Sequence, residues 1–416
     1  MVQGILQNRL IKKISSYLVG PLTSRVIVFL SMILIARIYS PDNLGLYALI
    51  MAISGVSLPL SNFKLHMLIP IAKGSDEVLW LSKTAFTILG LFLIFFYLCI
   101  FLINFFIKIE IFESLLLCGA IIALNSVFEI FMSFFLRKQR YLDISKNTIS
   151  ATVAGEGLKI FFGLVGFYEF GLILGIISYY LTGTLLFISK SDFRLSQILN
   201  IDLKIFNFTD YRGKASLAVI NQFLMNLGDM IPVFFIGLIF SQGDLGLFSL
   251  AFSVIGAVNI ILSKTFSKVY FSESALEIRK QTFKIKSLIM YIFYVVVLCG
   301  PFSVVLYFFG ENLFEFIYGN AWIKSGTIAK YLSIILIPQI LYNAFNQLLI
   351  LFNKQSTGLF LSSIRIFVLI IFFVISQLQN MTILNTLFLY SVASSLLYLI
   401  MFIVMMNVIR SAHETN

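Results

Sequence analysis

Seven ionisable residues stand inside long apolar runs of this chain, where charge is out of place. The bases are Arg25, Lys159, Lys330 and Arg365; the acids are Glu129, Glu156 and Asp229. A charge at mid-bilayer costs about 2.5–3.5 kcal/mol on insertion scales, so such residues face a bundle interior or a wet cavity, pair together, or snorkel to an interface. Lys330 lies near a helix end, where snorkelling is open to it, whereas Arg25 and Arg365 lie deeper. Uncharged polar residues extend the pattern. Thr152, Glu156 and Lys159 follow i, i+4, i+7, as do Gln222, Asn226 and Asp229, and again Gln339, Asn343 and Asn346. Asn125, Glu129 and Ser133 follow i, i+4, i+8. Each set is one stripe of a helix. A single stripe could be helix–helix glue, but four, with charge on three, read as the lining of a solvated cavity. Glu156 and Lys159 are also spaced to pair with each other. Bond-making chemistry has little to work with. Cys99, Cys118 and Cys299 all fall in apolar runs, the two histidines are His66 and His413, and neither a phosphate-binding Gly loop nor a catalytic triad pattern occurs. The expected reading is therefore a non-enzyme without catalytic residues, metal or cofactor, with coupling to H+ or Na+ left open.

The elements that must position these residues are membrane helices. Hydrophobic residues are 59% of the 416 positions and charged residues 12%, against roughly half and a quarter in soluble domains. A ruler of about 20 apolar residues per crossing predicts twelve spans. Six fall in the first half, at 15–36, 44–63, 79–107, 115–136, 148–167 and 171–189. Six more follow at 215–239, 245–263, 287–309, 327–351, 358–378 and 383–409. The polar stretch 190–214 divides them, giving lobes 1–189 and 215–416 with a cytoplasmic linker between, whose Leu195, Ile198, Leu199 and Phe206 could lie along the membrane surface. Two short stretches support a duplication. Ser40-Pro41-Asp42-Asn43-Leu44-Gly45-Leu46-Tyr47 is matched by Ser241-Gln242-Gly243-Asp244-Leu245-Gly246-Leu247-Phe248. Each reads as a tight hairpin between spans, with glycine releasing the backbone where the second helix begins. Repeats at half-length are the usual construction of secondary transporters, with the substrate site between halves. Pro232 and Pro338, inside spans, permit bends.

Charge placement sets the expected orientation. With the N-terminus in the cytoplasm, 23 of the 30 Lys and Arg fall on the inner side and 3, Arg37, Lys108 and Lys324, on the outer. By the positive-inside rule both termini are then cytoplasmic, both hairpins face outward, and the halves are parallel repeats. The net charge of +11 is accounted for by this asymmetry, without nucleic acid as a partner. The expected fold class is an all-α integral membrane protein, about twelve transmembrane helices in two six-helix parallel pseudo-repeats around a central cavity.

At Ala36-Arg37-Ile38-Tyr39-Ser40-Pro41-Asp42-Asn43-Leu44-Gly45-Leu46-Tyr47-Ala48-Leu49 the chain resembles the start of the polysaccharide exporters in the MOP (multidrug/oligosaccharidyl-lipid/polysaccharide) superfamily, the Wzx-type flippases. Asp229 in span 7, Gly246-Leu247-Phe248-Ser249, and Phe316-Ile317-Tyr318-Gly319-Asn320-Ala321-Trp322 resemble the family's second half. One subgroup has an Arg-Tyr-Glu-like element leaving span 2; Lys64-Leu65-His66 stands there, keeping the positive charge and replacing the acid. The resemblance implies a flippase that moves an undecaprenyl-pyrophosphate-linked oligosaccharide, for O-antigen or a related surface polysaccharide, from the cytoplasmic to the periplasmic leaflet of a bacterial inner membrane by alternating access. It implies the bilayer and the lipid-linked glycan as partners, with the glycan polymerase and chain-length machinery beside them. On that reading Arg25, Arg365 and Lys159 hold the diphosphate in a cavity between the halves, and Gln222, Asn226, Gln339, Asn343 and Asn346 meet the sugar. Asp229, Glu156 and Glu129 couple transport or form ion pairs, and Lys64, His66 and Lys330 complete the candidates. The rivals are a MATE-like drug/cation antiporter, in which acids should dominate the cavity, a fourteen-span peptidoglycan-precursor flippase, and a membrane-embedded glycan polymerase, which expects a larger outer loop than 310–326.

Overall fold

The computed structural model describes residues 2–72, 74–108, 110–191, 209–279, 285–352 and 354–414. Among them regular structure is helical throughout. Twelve helices are long: α1 Val2–Ile38, α2 Pro41–Ser61, α3 Ser75–Ile107, α4 Phe112–Arg137, α5 Tyr141–Leu164, α6 Tyr168–Ser189, α7 Thr209–Ile239, α8 Gln242–Arg279, α9 Ile285–Tyr318, α10 Ile323–Phe345, α11 Gln355–Leu378 and α12 Ile383–Glu414. Short 3-10 turns, Leu65–Ile71 and Asn320–Trp322, and a single helical turn, Leu348–Leu351, lie between them. Among the described residues 11 of these helices are long and apolar enough to cross a membrane, and the chain is a multi-pass membrane protein. The exception is α5, which carries Asp143, Lys146, Glu156 and Lys159 along 24 residues.

Several boundaries differ from the sequence reading, each for a local reason. Span 9 does not stop at 309. Helix α9 continues to Tyr318 because residues 310–318 are amphipathic, with Phe314 and Tyr318 buried one turn apart and their rings 5.2 Å apart, while Glu311 and Glu315 are exposed. The expected outer loop 310–326 therefore shrinks to Gly319–Trp322. Span 10 does not run to 351: α10 ends at Phe345, Asn346 still donates its backbone N–H to Tyr342 O, 2.9 Å, and Leu348–Leu351 forms a separate helical turn. Span 5 begins earlier, at Tyr141, where Arg140 Nε is 2.7 Å from Asp143 Oδ2 across the first turn. Of the expected linker, residues 192–208 lie outside the described residues, including Leu195, Ile198, Leu199 and Phe206; α7 already begins at Thr209.

The chain divides into two compact units. One comprises Met1–Tyr39 and Leu49–Asn226, the other Ser40–Ala48 and Leu227–Asn416. In the first unit α5 packs on α1 and α6, α4 packs on α6 and α3, and the Leu65–Ile71 turn lies against α3 and α4. In the second unit α10 is central, against α8, α9 and α12. Of its most apolar window 67% is buried, against 17% for α9 and 11% for α3. Helices so little buried and so apolar need hydrocarbon on their outer faces.

The repeated hairpin motif has a structural cause, seen wholly within the second unit. Each copy begins its helix with the same reciprocal cap. Asn43 N–H donates to Ser40 Oγ (3.4 Å) and Asp244 N–H to Ser241 Oγ (3.1 Å), while Ser40 Oγ–H donates to Asn43 Oδ1 (2.7 Å) and Ser241 Oγ–H to Asp244 Oδ2 (2.7 Å). Gln242 Nε2 donates to Asp42 O, 3.1 Å. The glycines have another task than the one expected. Among the described glycines only Gly166 and Gly319 have positive φ, so Gly45 and Gly246 release no backbone. A Cβ at Gly45 would collide with the Gln242 carbonyl, and one at Gly246 with the Pro41 carbonyl. The glycines are there so that two helix starts can touch.

Candidate functional site

In the second unit the polar residues converge on Arg365, which is buried on α11. Its Nη2 donates to Asp229 Oδ1 on α7, 2.8 Å, and its Nη1 to the Tyr398 hydroxyl on α12. The guanidinium carbon stands 5.4 Å from the Tyr398 ring centroid, and Gln339 Nε2 on α10 donates to the same hydroxyl, 3.1 Å. A cavity of about 20 Å³ lies among Gly228, Asp229, Gln339, Arg365, Tyr390 and Tyr398, enough for roughly one water. Gly228 makes room for the guanidinium: a Cβ there would overlap Arg365 Nη2. The pair is asymmetric, since the Arg365 side chain is 9% exposed and that of Asp229 45%. Sequence reasoning missed Tyr390 and Tyr398. The signal was present, because Tyr390, Ser394 and Tyr398 form an i, i+4, i+8 stripe like the four that were read.

The other second-unit candidates separate. Asn343 Nδ2 donates to Asn259 Oδ1, 3.5 Å, which is buried on α8 and was also missed. Asn346, past the end of α10, leaves the stripe and stands against Gly358. Lys330 is half-buried, with Nζ 5.5 Å over the Tyr307 ring.

In the first unit the candidate residues other than Arg25 fall into two polar groups. In one, Lys159 Nζ meets Glu156 Oε1 at 2.7 Å on α5, both side chains buried. Ser31 Oγ–H on α1 donates to the other carboxylate oxygen, 2.7 Å, and the Tyr39 hydroxyl donates to Lys159 O, 2.7 Å. Arg25, also on α1, lies on an exposed face.

The second group surrounds the segment after α2. Phe63 and Lys64 both take left-handed backbone, φ 48° and 51°, a costly conformation for large side chains. The Lys64 N–H donates to Asn62 Oδ1, 2.9 Å, and Arg137 at the end of α4 clamps the far side by donating to the carbonyls of Ile69 (3.0 Å) and Ala72. The turn so held presents Lys64 and His66. Lys64 Nζ donates to Gln222 Oε1, 3.1 Å; Gln222 Nε2 to Asn226 Oδ1, 2.7 Å; Asn226 Nδ2 to Gly55 O, 2.7 Å. His66 is buried, with Nε2 3.3 Å from Glu129 Oε2 on α4 and Nδ1 buried without a hydrogen-bond partner. Burial, reinforced by the Lys64 charge, pushes the imidazole down to about 4, so at neutral pH this is a carboxyl group against a neutral ring rather than an ion pair. Burial likewise lowers Lys64, with the Glu129 carboxylate opposing it.

The polysaccharide biosynthesis protein profile matches residues 34–327, well over half of the chain. The chain belongs to the polysaccharide biosynthesis protein family. No functionally curated protein matches it. Among solved structures it is similar to the lipid II flippase MurJ in an inward closed conformation, at TM-score 0.66 and 14% identity over 95% of this chain and 87% of that one. It is also similar to a MATE transporter from Vibrio cholerae, at TM-score 0.60 and 14% identity over 99% and 98%. An inward-facing multidrug resistance MATE transporter of the MOP superfamily matches at 0.56 and 13% over 94% and 95%. The likeness to these proteins is one of fold, and this polysaccharide biosynthesis family member has the MOP transporter fold.

Proposed function

We propose that this protein is a flippase that carries an undecaprenyl-pyrophosphate-linked oligosaccharide, a repeat unit of O-antigen or a related surface polysaccharide, from the cytoplasmic to the periplasmic leaflet of a bacterial inner membrane. The observation that carries this reading is that a member of a polysaccharide biosynthesis family has the fold of membrane transporters. No bond is made or broken in such a step. What the chain must supply is an environment for a diphosphate and hydroxyls inside a membrane. Arg365 suits the diphosphate: a guanidinium presents a planar fork to anionic oxygens, and its present partner, Asp229, is the more exposed of the two. A phosphate oxygen can replace that carboxylate on the same donors. Lys159 assists by the same exchange with Glu156, and Arg25 supplies a further fork. Gln222, Asn226, Gln339, Asn343 and Asn346 receive the sugar hydroxyls, and the polyprenyl tail stays in lipid. Both termini are cytoplasmic, and the polymerase and chain-length machinery take over the cargo on the far side.

Loss of the gene should leave a lipid-linked glycan accumulated on the cytoplasmic leaflet, identifiable by mass spectrometry. If none accumulates, the flippase reading is wrong. Complementation by Arg365→Ala should export little glycan, and by an Arg25→Ala, Arg365→Ala double variant almost none. Full export by that stably expressed double variant would remove the diphosphate role of both arginines.

A further inference from the structure

Three acids, Glu129, Glu156 and Asp229, stand inside apolar runs of the sequence, and the structure treats them differently. Asp229 is held by Arg365 at 2.8 Å, and Glu156 by Lys159 at 2.7 Å and by the Ser31 hydroxyl. Protonating a carboxylate in such a pair would leave the neighbouring cation without its counter-charge. Glu129 differs. No Lys or Arg among the described residues stands within ion-pair distance of it; its neighbour at 3.3 Å is His66 Nε2. The nearby cation, Lys64, spends its hydrogen bond on Gln222 instead.

We propose that Glu129 and His66 form a proton-binding site, in which the proton rests on the Glu129 carboxyl and His66 is its neutral partner. The proposal rests on the transport reading only for what the proton is used for. Because His66 resists charging, a proton arriving at the pair goes to the carboxylate. The step is a simple uptake: carboxylate plus H+ gives carboxylic acid, and no other bond changes. Its consequence is electrostatic. Ionised Glu129 offsets Lys64, whereas protonated Glu129 leaves the group with one net positive charge, which favours an anionic cargo. The charged groups around the pair are few. Lys64 lies on the same segment. Helix α4 supplies Glu129 itself and Arg137, the latter engaged with the Ile69 and Ala72 carbonyls. Helix α3, which also packs on the segment, carries Asp76, Glu77 and Lys83 in its first turns. Helix α7 contributes the amides of Gln222 and Asn226. The buried, partnerless Nδ1 of His66 and the left-handed residues before it mark a segment held short of its most relaxed state, as befits one that responds to a change in charge.

The test is infrared difference spectroscopy of the purified full-length protein in liposomes, titrated between about pH 5 and 8. The spectrum of wild type minus Glu129→Gln should contain the carbonyl band of one protonating carboxyl group. The same subtraction with Glu156→Gln or Asp229→Asn should contain none over that range. Absence of the Glu129 band, or its appearance with either of the other two, overturns the proposal. His66→Gln guards against a Glu129→Gln protein that does not fold. It retains the carboxyl and should move the midpoint by at least about one pH unit, a tenfold change in proton affinity; an unmoved midpoint refutes the pairing. No cargo is needed for this titration, so failure of glycan transport leaves the site standing. Conversely, intact transport with no band removes the proton site alone.

Discussion

At the scale of single residues, two kinds of glycine make opposite demands. Gly228 adjoins the tip of a side chain: a methyl group there overlaps Arg365 Nη2, and an arginine can retreat by rotating its own bonds. The fold should survive Gly228→Ala, at the cost of the Asp229 and Tyr398 bonds that the retreat breaks. Gly45 and Gly246 adjoin backbone carbonyls, which cannot rotate away, so the helix starts must separate. Overpacking of this kind typically costs about 1–3 kcal/mol. We therefore expect Gly228→Ala to express and melt near wild type in detergent while exporting as little glycan as Arg365→Ala. Gly45→Ala and Gly246→Ala should instead lower the melting temperature and the yield. A Gly228→Ala protein with normal export would mean that the Arg365 contacts are dispensable. Tyr398 shares that role, since it joins the guanidinium to Gln339.

At the scale of elements, the segment after α2 concentrates tension in a few residues. Two left-handed side chains, an Asn62 turn and the Arg137 clamp present His66 where burial and Lys64 oppose its charge. The linkage sign follows directly. His66 titrates near its ordinary 6.5 when unfolded and at about 4 when folded, so below pH 6.5 the unfolded chain binds the proton that the folded one refuses. This stability is complete above that pH and is lost as pH falls through the folded value, by up to about 3 kcal/mol. Melting in detergent should drop between about pH 6.5 and 4, and less so in His66→Gln. A variant with an unchanged pH slope would show that His66 is not the responsible group. The Glu156–Lys159 pair needs no such construction, because helical spacing on α5 alone brings the two together.

At the scale of the whole molecule, the prominent quantity is the distribution of charge. The 23-to-3 division of Lys and Arg sets an expected topology in which both repeated hairpins lie outside and both ends inside. Reporter fusions ending at Asn43 and Gly243 should read as periplasmic, and one ending at Gly213 as cytoplasmic. A cytoplasmic signal from either hairpin would contradict the parallel-repeat arrangement. The structure gives the repeats a physical basis: matching Ser-x-x-Asn and Ser-x-x-Asp caps, followed by glycines whose neighbours are the other copy's backbone.

What the amino-acid sequence determined by itself was whatever depends on neighbours along the chain. Apolar runs separated by polar turns set where most of the long helices fall, because the solvent each helix needs is written in its own composition. The i, i+3 spacing of Glu156 and Lys159 likewise made their pairing legible. Helix ends were read less well. Residues 310–318 continue α9 through an amphipathic turn, which an apolar ruler cannot see, and α10 stops at Phe345 inside an apolar run, where composition marks no end. Only the tertiary structure decided which distant partners meet. Arg365 and Asp229 are 136 residues apart, Ser31 and Glu156 125, Lys64 and Gln222 158. A buried charge announces in sequence that it must have a partner, since its desolvation is too costly alone, but not which partner. That is why seven ionisable residues could be singled out at the start, while the difference between two satisfied acids and Glu129, facing a neutral histidine, became visible only when the helices were packed.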